Sequence, residues 1–132
     1  MRIAQLLARQ GKLEEGRRHL RETRTADNAD RIPLLLAESQ LLRDAGKIRE
    51  AFELLDPRLA AQPEQPELLY ESALLAEKLG RQDVLETNLR KLIRIKPDHA
   101  HAYNALGYSF AERNQRLAEA EQLITKALHL SP

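Results

Sequence analysis

A repeat of 34 to 35 residues constrains this chain more than any other feature of its sequence. Gly11, Gly46 and Gly80 lie 35 and 34 residues apart, and a lysine or arginine follows each of them. Apolar residues at spacings of three and four precede and follow each glycine, a pattern typical of amphipathic helices. The sequence therefore predicts a unit of helix, tight turn and helix that recurs along the chain.

The composition agrees with a helical chain. Of the 132 residues, 42% are hydrophobic and only 4% are aromatic, with no tryptophan and five glycines. Leucine, alanine, glutamate and arginine dominate, and these residues favour helices over strands. We predict an all-α fold with enough apolar residues to bury a core.

Charge and cysteine content exclude several classes of function. Twenty-one Lys and Arg against 20 Asp and Glu leave a formal net charge of +1, so no global field draws the protein to nucleic acid or to an anionic membrane. The absence of cysteine excludes disulfides and thiolate metal sites. No apolar run approaches the roughly 20 residues of a membrane span. The N-terminal stretch MRIAQLLARQGKLEE is too short and too charged for a secretory signal. Localisation, in the cytoplasm or the cell envelope, stays open.

Aligned repeats reveal positions that keep one character. The second helices share an apolar face: Ala51, Leu85, Ala120; Leu55, Leu89, Ile124; and Leu59, Ile93, Leu128. The first helices share one position that is always small: Ala4, Ser39, Ala73 and Gly107. A glycine inside a helix costs about 1 kcal/mol relative to alanine. We therefore expect Gly107 to allow two helices to approach closely, with the helix running through it.

The pattern resembles the tetratricopeptide repeat family, best in the last repeat. The matching residues there are Tyr103, Leu106, Gly107, Phe110, Ala120, Ile124, Ala127 and Pro132. The resemblance implies a right-handed superhelical solenoid of antiparallel helix-turn-helix repeats. The expected repeats are 1–31, partial or divergent, then 32–65, 66–99 and 100–132. Because no polar helix covers the last apolar face, we expect a piece of a longer array or a chain that self-associates through its open ends.

Two departures from the repeat carry local predictions. The last turn has one extra residue, with Asn114 in place of the glycine, and asparagine is the next best residue for a left-handed helix stop. We expect that turn to survive with a small bulge. Pro57 lies deep in a second helix, where it removes a backbone donor, so we predict a kink near Asp56. In the alternative, Asp56 and Pro57 restart a helix in a new direction.

The family resemblance implies that the first helices line a concave groove and hold the ligand there. The residues about 100° round from the packing positions are the candidate partner-binding residues. They are Leu36, Gln40, Arg43, Tyr70, Leu74, Glu77, Asn104 and Tyr108, with Gln5, Arg9 and Ala111 extending the row. This mixture suits an extended or helical peptide. In the alternative, Tyr70 and Tyr108 pack between repeats or lie on the surface. The row has no ladder of lysines, which argues against capture of a C-terminal carboxylate.

Other residues support no chemistry. His99 and His101 form a possible metal pair, but a role at the start of a helix is favoured because no carboxylate lies at ligand spacing. Arg17, Arg21 and Arg24 form a possible basic ridge for RNA or an acidic partner, with a solvated face favoured by the neighbouring glutamates. No dinucleotide, phosphate-loop, zinc-protease or nucleophile-elbow motif is present. We predict no metal, no cofactor and no catalysis.

Two functional hypotheses remain. In the first, the chain is a non-catalytic scaffold that binds a peptide or protein partner in the concave groove. In the second, it is a structural spacer or oligomerisation segment, which forms a homo-oligomer through its uncapped ends. A solenoid presents its specificity on variable surface positions, so the partner's identity does not follow from the repeat.

Overall fold

The computed structural model describes residues 2–23 and 31–131, and every regular element in those ranges is an α-helix. The all-α prediction is confirmed. The helices are α1 (Arg2–Arg9), α2 (Leu13–Glu22), α3 (Arg31–Asp44), α4 (Ile48–Ala61), α5 (Pro66–Lys78), α6 (Gln82–Ile95), α7 (Ala100–Glu112) and α8 (Leu117–Leu130). The chain divides into two compact units, Met1–Arg58 and Leu59–Pro132, and the boundary falls in the last turn of α4.

The recurring glycines end the first helix of each pair in a left-handed conformation. Their φ angles are +80° at Gly11, +80° at Gly46 and +74° at Gly80. At the Gly80 turn, the Arg81 amide donates a backbone hydrogen bond of 2.8 Å to the Ala76 carbonyl. This bond spans five residues and belongs to the Schellman motif, which satisfies carbonyls left unpaired at a helix end. The tight turn predicted from the sequence is therefore confirmed.

The last turn keeps this geometry without a glycine. Asn114 has a φ of 54°, and the Gln115 amide donates to the Phe110 carbonyl over 2.9 Å. The extra residue is accommodated by Arg116, a second left-handed residue with a φ of 46° that immediately precedes α8. The predicted survival of this turn is confirmed.

Gly107 lies where α7 and α8 approach most closely. The residue is buried within α7, and a Cβ atom built on it would lie 2.8 Å from Ile124 Cγ1 and 3.0 Å from the Ala120 carbonyl oxygen. Real Cβ atoms do not approach other atoms so closely, so a side chain here would force the helices apart. The predicted role of Gly107 as a spacer between helices is confirmed.

The first helix pair also has a glycine at a close contact between its helices, but on its second helix. Gly16 belongs to α2, and a Cβ built on it would lie only 2.7 Å from the carbonyl oxygen of Ala4 on α1. Ala4 is fully buried. In this pair the second helix supplies the glycine, whereas in the last pair the first helix does.

Each unit has its own apolar core. In the first unit α2 packs against both α1 and α3, and Ala4, Leu20 and Leu41 form one buried cluster. In the second unit α5 packs on α6, α6 on α7, and α7 on α8. Its largest fully buried side chains are Leu68, Leu69, Leu75, Leu85, Leu89, Leu92, Leu106 and Phe110.

Two sequence predictions need correction. The alternative in which Asp56 and Pro57 restart a helix is wrong, because α4 runs from Ile48 to Ala61 with Pro57 inside it; the kink itself stays a prediction. Leu128 was expected on the packing face of α8, but 63% of its surface is exposed. The equivalent Leu59 and Ile93 are half-buried. Leu128 is exposed because its face of α8 receives no neighbouring helix among the described residues.

Candidate partner-binding surfaces

Asn104 and Tyr108 are two exposed members of the predicted row. They lie four residues apart on α7, and residues at this spacing share one helix face. Both are exposed, with 53% of the surface of Tyr108 open to solvent. Together they present an amide and an aromatic ring that carries a hydroxyl, groups that bind both apolar and polar parts of a partner.

Tyr70, by contrast, packs against the start of α7. It lies on α5 with Leu74 and Glu77, and all three are half-buried. The ring centroid of Tyr70 is 5.4 Å from that of His99 and 6.4 Å from that of His101. The two tyrosines of the row therefore differ. Tyr70 packs between repeats, which was the alternative considered from the sequence, whereas Tyr108 is open to solvent.

His99 acts at the start of a helix, as predicted. Its Nδ1 atom accepts a hydrogen bond of 3.1 Å from the Ala102 amide, so the side chain caps α7. This bond occupies the ring nitrogen that a metal would need on that side. The cap also orients the imidazole towards Tyr70, a contact that the sequence pattern did not predict.

The corresponding row in the first unit lies on α1 and α3. On α3, Leu36 and Arg43 are half-buried, and Gln40 is exposed. Gln40 Nε2 donates to Asp44 Oδ1 over 2.7 Å, which ties the amide to its own helix. The Gln40 amide is therefore less available than that of Asn104 for a hydrogen bond to a partner.

A pocket of about 190 Å³ lies beside this row. Gln5 and Arg9, the predicted extension of the row, line it from α1. The remaining lining residues are Ala8, Leu13, Leu41, Asp44 and Ala45. The pocket thus combines apolar walls with a guanidinium group and a carboxylate, the mixture that fixes the orientation of a bound side chain. Sequence periodicity identified Gln5 and Arg9 but missed Asp44, which lies four residues after Gln40 on the same face of α3.

The predicted basic ridge is not a free surface. Arg17 Nε donates to Glu38 Oε2 over 2.9 Å, and Arg21 Nε lies 3.5 Å from the same oxygen. Glu38 belongs to α3 and is only 3% exposed. Both interpretations of the ridge, docking surface and solvated face, are therefore wrong for Arg17, which joins α2 to α3. Arg24, the third member, lies outside the described residues.

The ion pairs at Arg17 shift its protonation equilibrium. Burial acts to lower the pKa of Arg17, but hydrogen bonds to Glu38 and Glu14 outweigh it and raise the pKa above its ordinary value. A charged side chain as buried as Glu38 requires such partners. The sequence did contain a signal: a glutamate at a position that is apolar or small in the other repeats, preceded by two arginines four residues apart on α2.

In the second unit, arginines surround a buried ring. The guanidinium carbons of Arg90, Arg113 and Arg116 lie 5.6, 5.8 and 5.3 Å from the ring centroid of Phe110. A hydrogen bond from Arg90 lowers the pKa of Glu86; burial opposes this shift, and a bond from Arg116 adds to it. These contacts hold α6, α7 and the turn before α8 together, so these arginines have structural partners.

Two other kinds of site, a membrane span and a metal centre, are absent from residues 2–23 and 31–131. No helix there is long and apolar enough to cross a membrane. No group of three or more His, Asp or Glu side chains in residues 2–23 and 31–131 could hold a metal ion.

The helix pairs, their left-handed turns and the small residues between helices agree with a match to a known family. The tetratricopeptide repeat family matches residues 36–84 and 85–132. The chain belongs to this family. The predicted fold class, all-α with antiparallel helix-turn-helix repeats, is thereby confirmed.

Comparisons with individual proteins support the family assignment. The TPR repeat-containing protein PA4667 of Pseudomonas aeruginosa is 35% identical over 132 residues; these cover all of this chain and 22% of that protein. MamA of Desulfovibrio magneticus RS-1 superimposes with a TM-score of 0.74 at 23% identity, over 99% of this chain and 73% of that chain. The first TPR of Spaghetti (RPAP3), bound to the HSP90 peptide SRMEEVD, gives 0.68 at 23% identity, over 75% of this chain and 78% of that chain. These two structural matches establish a shared fold.

Proposed function

We propose that this chain is a non-catalytic scaffold that binds a peptide or protein partner on the exposed faces of its first helices. The observation that carries the proposal is the pair Asn104 and Tyr108, which are both exposed on successive turns of α7. A tyrosine that is 53% exposed and an amide beside it give a partner apolar area and hydrogen bonds at one place.

The chemistry of the row indicates the kind of peptide. Next to α7, α5 contributes the half-buried Leu74 and the carboxylate of Glu77. An extended or helical peptide would place an apolar residue on Leu74 and Tyr108, and a polar or basic residue near Asn104 and Glu77. The HSP90 peptide bound to RPAP3 supports a peptide as the class of partner for this fold.

The test begins with selection from a random peptide library displayed on phage, with the 132-residue chain as bait. Selected peptides are then titrated against the double variant Asn104→Ala with Tyr108→Ala. We expect at least about tenfold weaker binding, because an exposed tyrosine at the centre of a contact is a typical hot spot. Thermal unfolding of the variant should change little, since both side chains are exposed.

A matched control distinguishes the row from the rest of the surface. Gln122→Ala removes an exposed amide on α8, away from the row, and should leave peptide affinity unchanged. A second double variant, Gln5→Ala with Arg9→Ala, tests the pocket of the first unit separately. Equal affinity of the selected peptides for the parent and for both double variants would contradict the proposal.

A further inference from the structure

Each first helix ends on an exposed charged side chain, and the sign of the charge alternates along the chain. The four residues are Arg9 at the end of α1, Asp44 at the end of α3, Lys78 at the end of α5 and Glu112 at the end of α7. They lie 35, 34 and 34 residues apart, so they occupy one position of the repeat. We call them the terminal charges. Each unit therefore carries one cation and one anion at this position.

Helix stability accounts for the two cations but not for the two anions. The C-terminal end of a helix carries a partial negative charge, so lysine or arginine is stabilising there and a carboxylate is disfavoured. Asp44 and Glu112 nevertheless occupy this place. Asp44 Oδ1 accepts a hydrogen bond from Gln40 of its own helix, and a carboxylate can accept several more. A cationic group of a partner would therefore be favourable at Asp44.

In the first unit, both terminal charges line one pocket. Arg9 and Asp44 belong to the lining of the pocket of about 190 Å³, and Leu13 and Leu41 contribute apolar walls. This volume is below the roughly 300 to 1,000 Å³ of pockets that hold drug-sized ligands, so the pocket suits a side chain of a larger partner. A side chain that fits has an apolar stem for the two leucines and a charge that complements the wall it meets.

We propose that the partner of this surface is a peptide segment in which an acidic and a basic side chain lie about three residues apart. The basic side chain lays its alkyl stem on Leu13 and Leu41 and its charge at Asp44, while the acidic side chain binds Arg9. Three residues of an extended segment span about 10 Å, a distance over which two side chains can reach the two charged walls of one pocket. This inference rests on the proposed scaffold function, because it specifies the chemistry of the partner.

A partner of a single charge fits this pocket less well. A purely basic segment brings a like charge to Arg9, and a purely acidic one brings a like charge to Asp44, and like charges repel at close range. A segment with both signs meets a complement on each wall. In the second unit, Lys78 and Glu112 provide the same pair of charges at the ends of α5 and α7, so the same preference applies there.

Backbone amide NMR with short peptides tests the pocket directly. Two mixed-charge probes, acetyl-Lys-Ala-Ala-Glu-amide and acetyl-Glu-Ala-Ala-Lys-amide, are titrated into the ¹⁵N-labelled 132-residue chain. Two single-charge probes, acetyl-Lys-Ala-Ala-Lys-amide and acetyl-Glu-Ala-Ala-Glu-amide, are titrated in parallel. We expect a mixed-charge probe to shift the amides of the pocket residues at a lower concentration than either single-charge probe. The reporter amides are those of Ala8, Arg9, Leu13, Leu41, Asp44 and Ala45.

Variants that remove one charge measure each half of the contact. Arg9→Gln and Asp44→Asn should each weaken binding of the mixed-charge probe about two- to fivefold, which corresponds to one exposed ion pair. Both side chains are exposed, so the melting temperature should change little. The matched control, Arg18→Gln with Glu53→Gln, also removes exposed charges of both signs from the first unit but outside the pocket lining. It should leave the affinity unchanged.

A charge reversal gives a change of preference that a loss of structure cannot imitate. Arg9→Glu leaves two carboxylates on the walls of the pocket. The two-lysine probe should then bind most tightly of the four, whereas the mixed-charge probes lose their advantage. A role of Arg9 in helix stability alone would not reverse the order of the probes.

Two results would overturn the inference. One is the absence of shifts at the pocket amides with both mixed-charge probes at the highest soluble peptide concentration. The other is equal binding of mixed-charge and single-charge probes, or an order that Arg9→Glu leaves unchanged.

The failure of this inference is distinguishable from failure of the proposed function. Selected peptides that bind less tightly to Asn104→Ala with Tyr108→Ala, together with unshifted pocket amides, defeat the inference about charge alone. Shifts at the pocket amides, together with selected peptides that are insensitive to that double variant, defeat the assignment of Asn104 and Tyr108 alone.

Discussion

The packing of α2 on α3 and of α6 on α7 occupies the same place in the repeat but uses different chemistry. In the first unit, the buried carboxylate of Glu38 accepts from Arg17 of α2. In the second unit, the equivalent position on α7 holds Leu106, which is fully buried. There, Glu86 pairs instead with Arg90 and Arg116 near the surface.

This difference shows what the repeat requires of that position. Either an apolar side chain or a charge satisfies it, provided that the preceding helix supplies the complement. Arg17 and Arg21 supply it for Glu38, and the positions equivalent to them in α6 are Glu86 and Arg90, which bond to each other. The apolar pattern of a repeat is thus a property of pairs of helices more than of single positions.

The largest expected effect breaks the charged version of this packing. Glu38→Ala leaves Arg17 partly buried without its main partner, and we expect a loss of about 2 to 3 kcal/mol in the free energy of unfolding measured in urea. This is at or below the low end of the roughly 3 to 5 kcal/mol typical of a broken buried pair, because Arg21 is half-exposed and can turn to water. Glu14→Ala, at an exposed partner of Arg17, should change stability by less than about 0.5 kcal/mol. Equal effects of the two would contradict the assignment.

A double variant sharpens the same comparison. Glu38→Leu with Arg17→Leu gives the first unit the apolar solution that Leu106 provides in the second. Because an ion pair replaced by packed apolar groups often leaves stability unchanged, we expect a stability within about 1 kcal/mol of the parent. A loss as large as that of Glu38→Ala would mean that the ion pair is required at this position.

The next effect concerns the glycines between helices. Gly107→Leu should destabilise the second unit by about 1 to 3 kcal/mol in thermal or urea unfolding, since the new side chain must displace Ile124 and the backbone at Ala120. Ala111→Leu, at an exposed position of the same helix, serves as the control. Gly16→Ala should lower stability more than Gly107→Ala. The new Cβ at residue 16 would first meet the backbone carbonyl of Ala4, which cannot move aside, whereas at residue 107 it would first meet the side chain of Ile124, which can. A Gly107→Leu variant that unfolds like the parent would rule out the close approach.

A smaller effect comes from the turns. Asn114 adopts the conformation that glycine adopts in the other three turns, so Asn114→Gly should stabilise the chain by about 0.5 kcal/mol. The reverse change, Gly80→Asn, should destabilise it by a similar amount. Chemical denaturation of both variants checks the pair, and a loss of stability in Asn114→Gly would show that the asparagine side chain contributes a bond of its own.

The smallest effect is a pH dependence in the second unit. The hydrogen bond from Arg90 lowers the pKa of Glu86 in the folded protein from its ordinary 4.5. A lowered carboxyl pKa contributes stability above the unfolded-state value, and this contribution is lost as the pH falls through the folded-state value. The difference in stability between the parent and Glu86→Gln should be present at neutral pH, below about 0.5 kcal/mol because the pair is partly exposed, and should vanish in acid below both pKa values. A difference independent of pH would exclude this origin.

Most of the fold followed from the sequence, whereas only part of the candidate surface did. Periodicity located the helices, the left-handed turns and the small residue at Gly107. It could not separate Tyr70 from Tyr108, which occupy the row on neighbouring helices, because the difference arises from the two imidazoles beside Tyr70. Periodicity also missed the burial of Glu38, because it considers the polarity of residues within one helix and not the charges on the neighbouring helix.

The sequence by itself determined that this chain consists of helix pairs with defined turns, because helical spacing and the glycine requirement of a left-handed turn are local properties of the backbone. The tertiary structure decided which charges are buried and which apolar residues are exposed. Arg17 is withdrawn from the surface by Glu38, 21 residues away, and Leu128 is exposed at a position where Leu59 and Ile93 are half-buried. The physical reason is that burial depends on what the neighbouring helix supplies, and that neighbour is chosen by packing and not by local sequence.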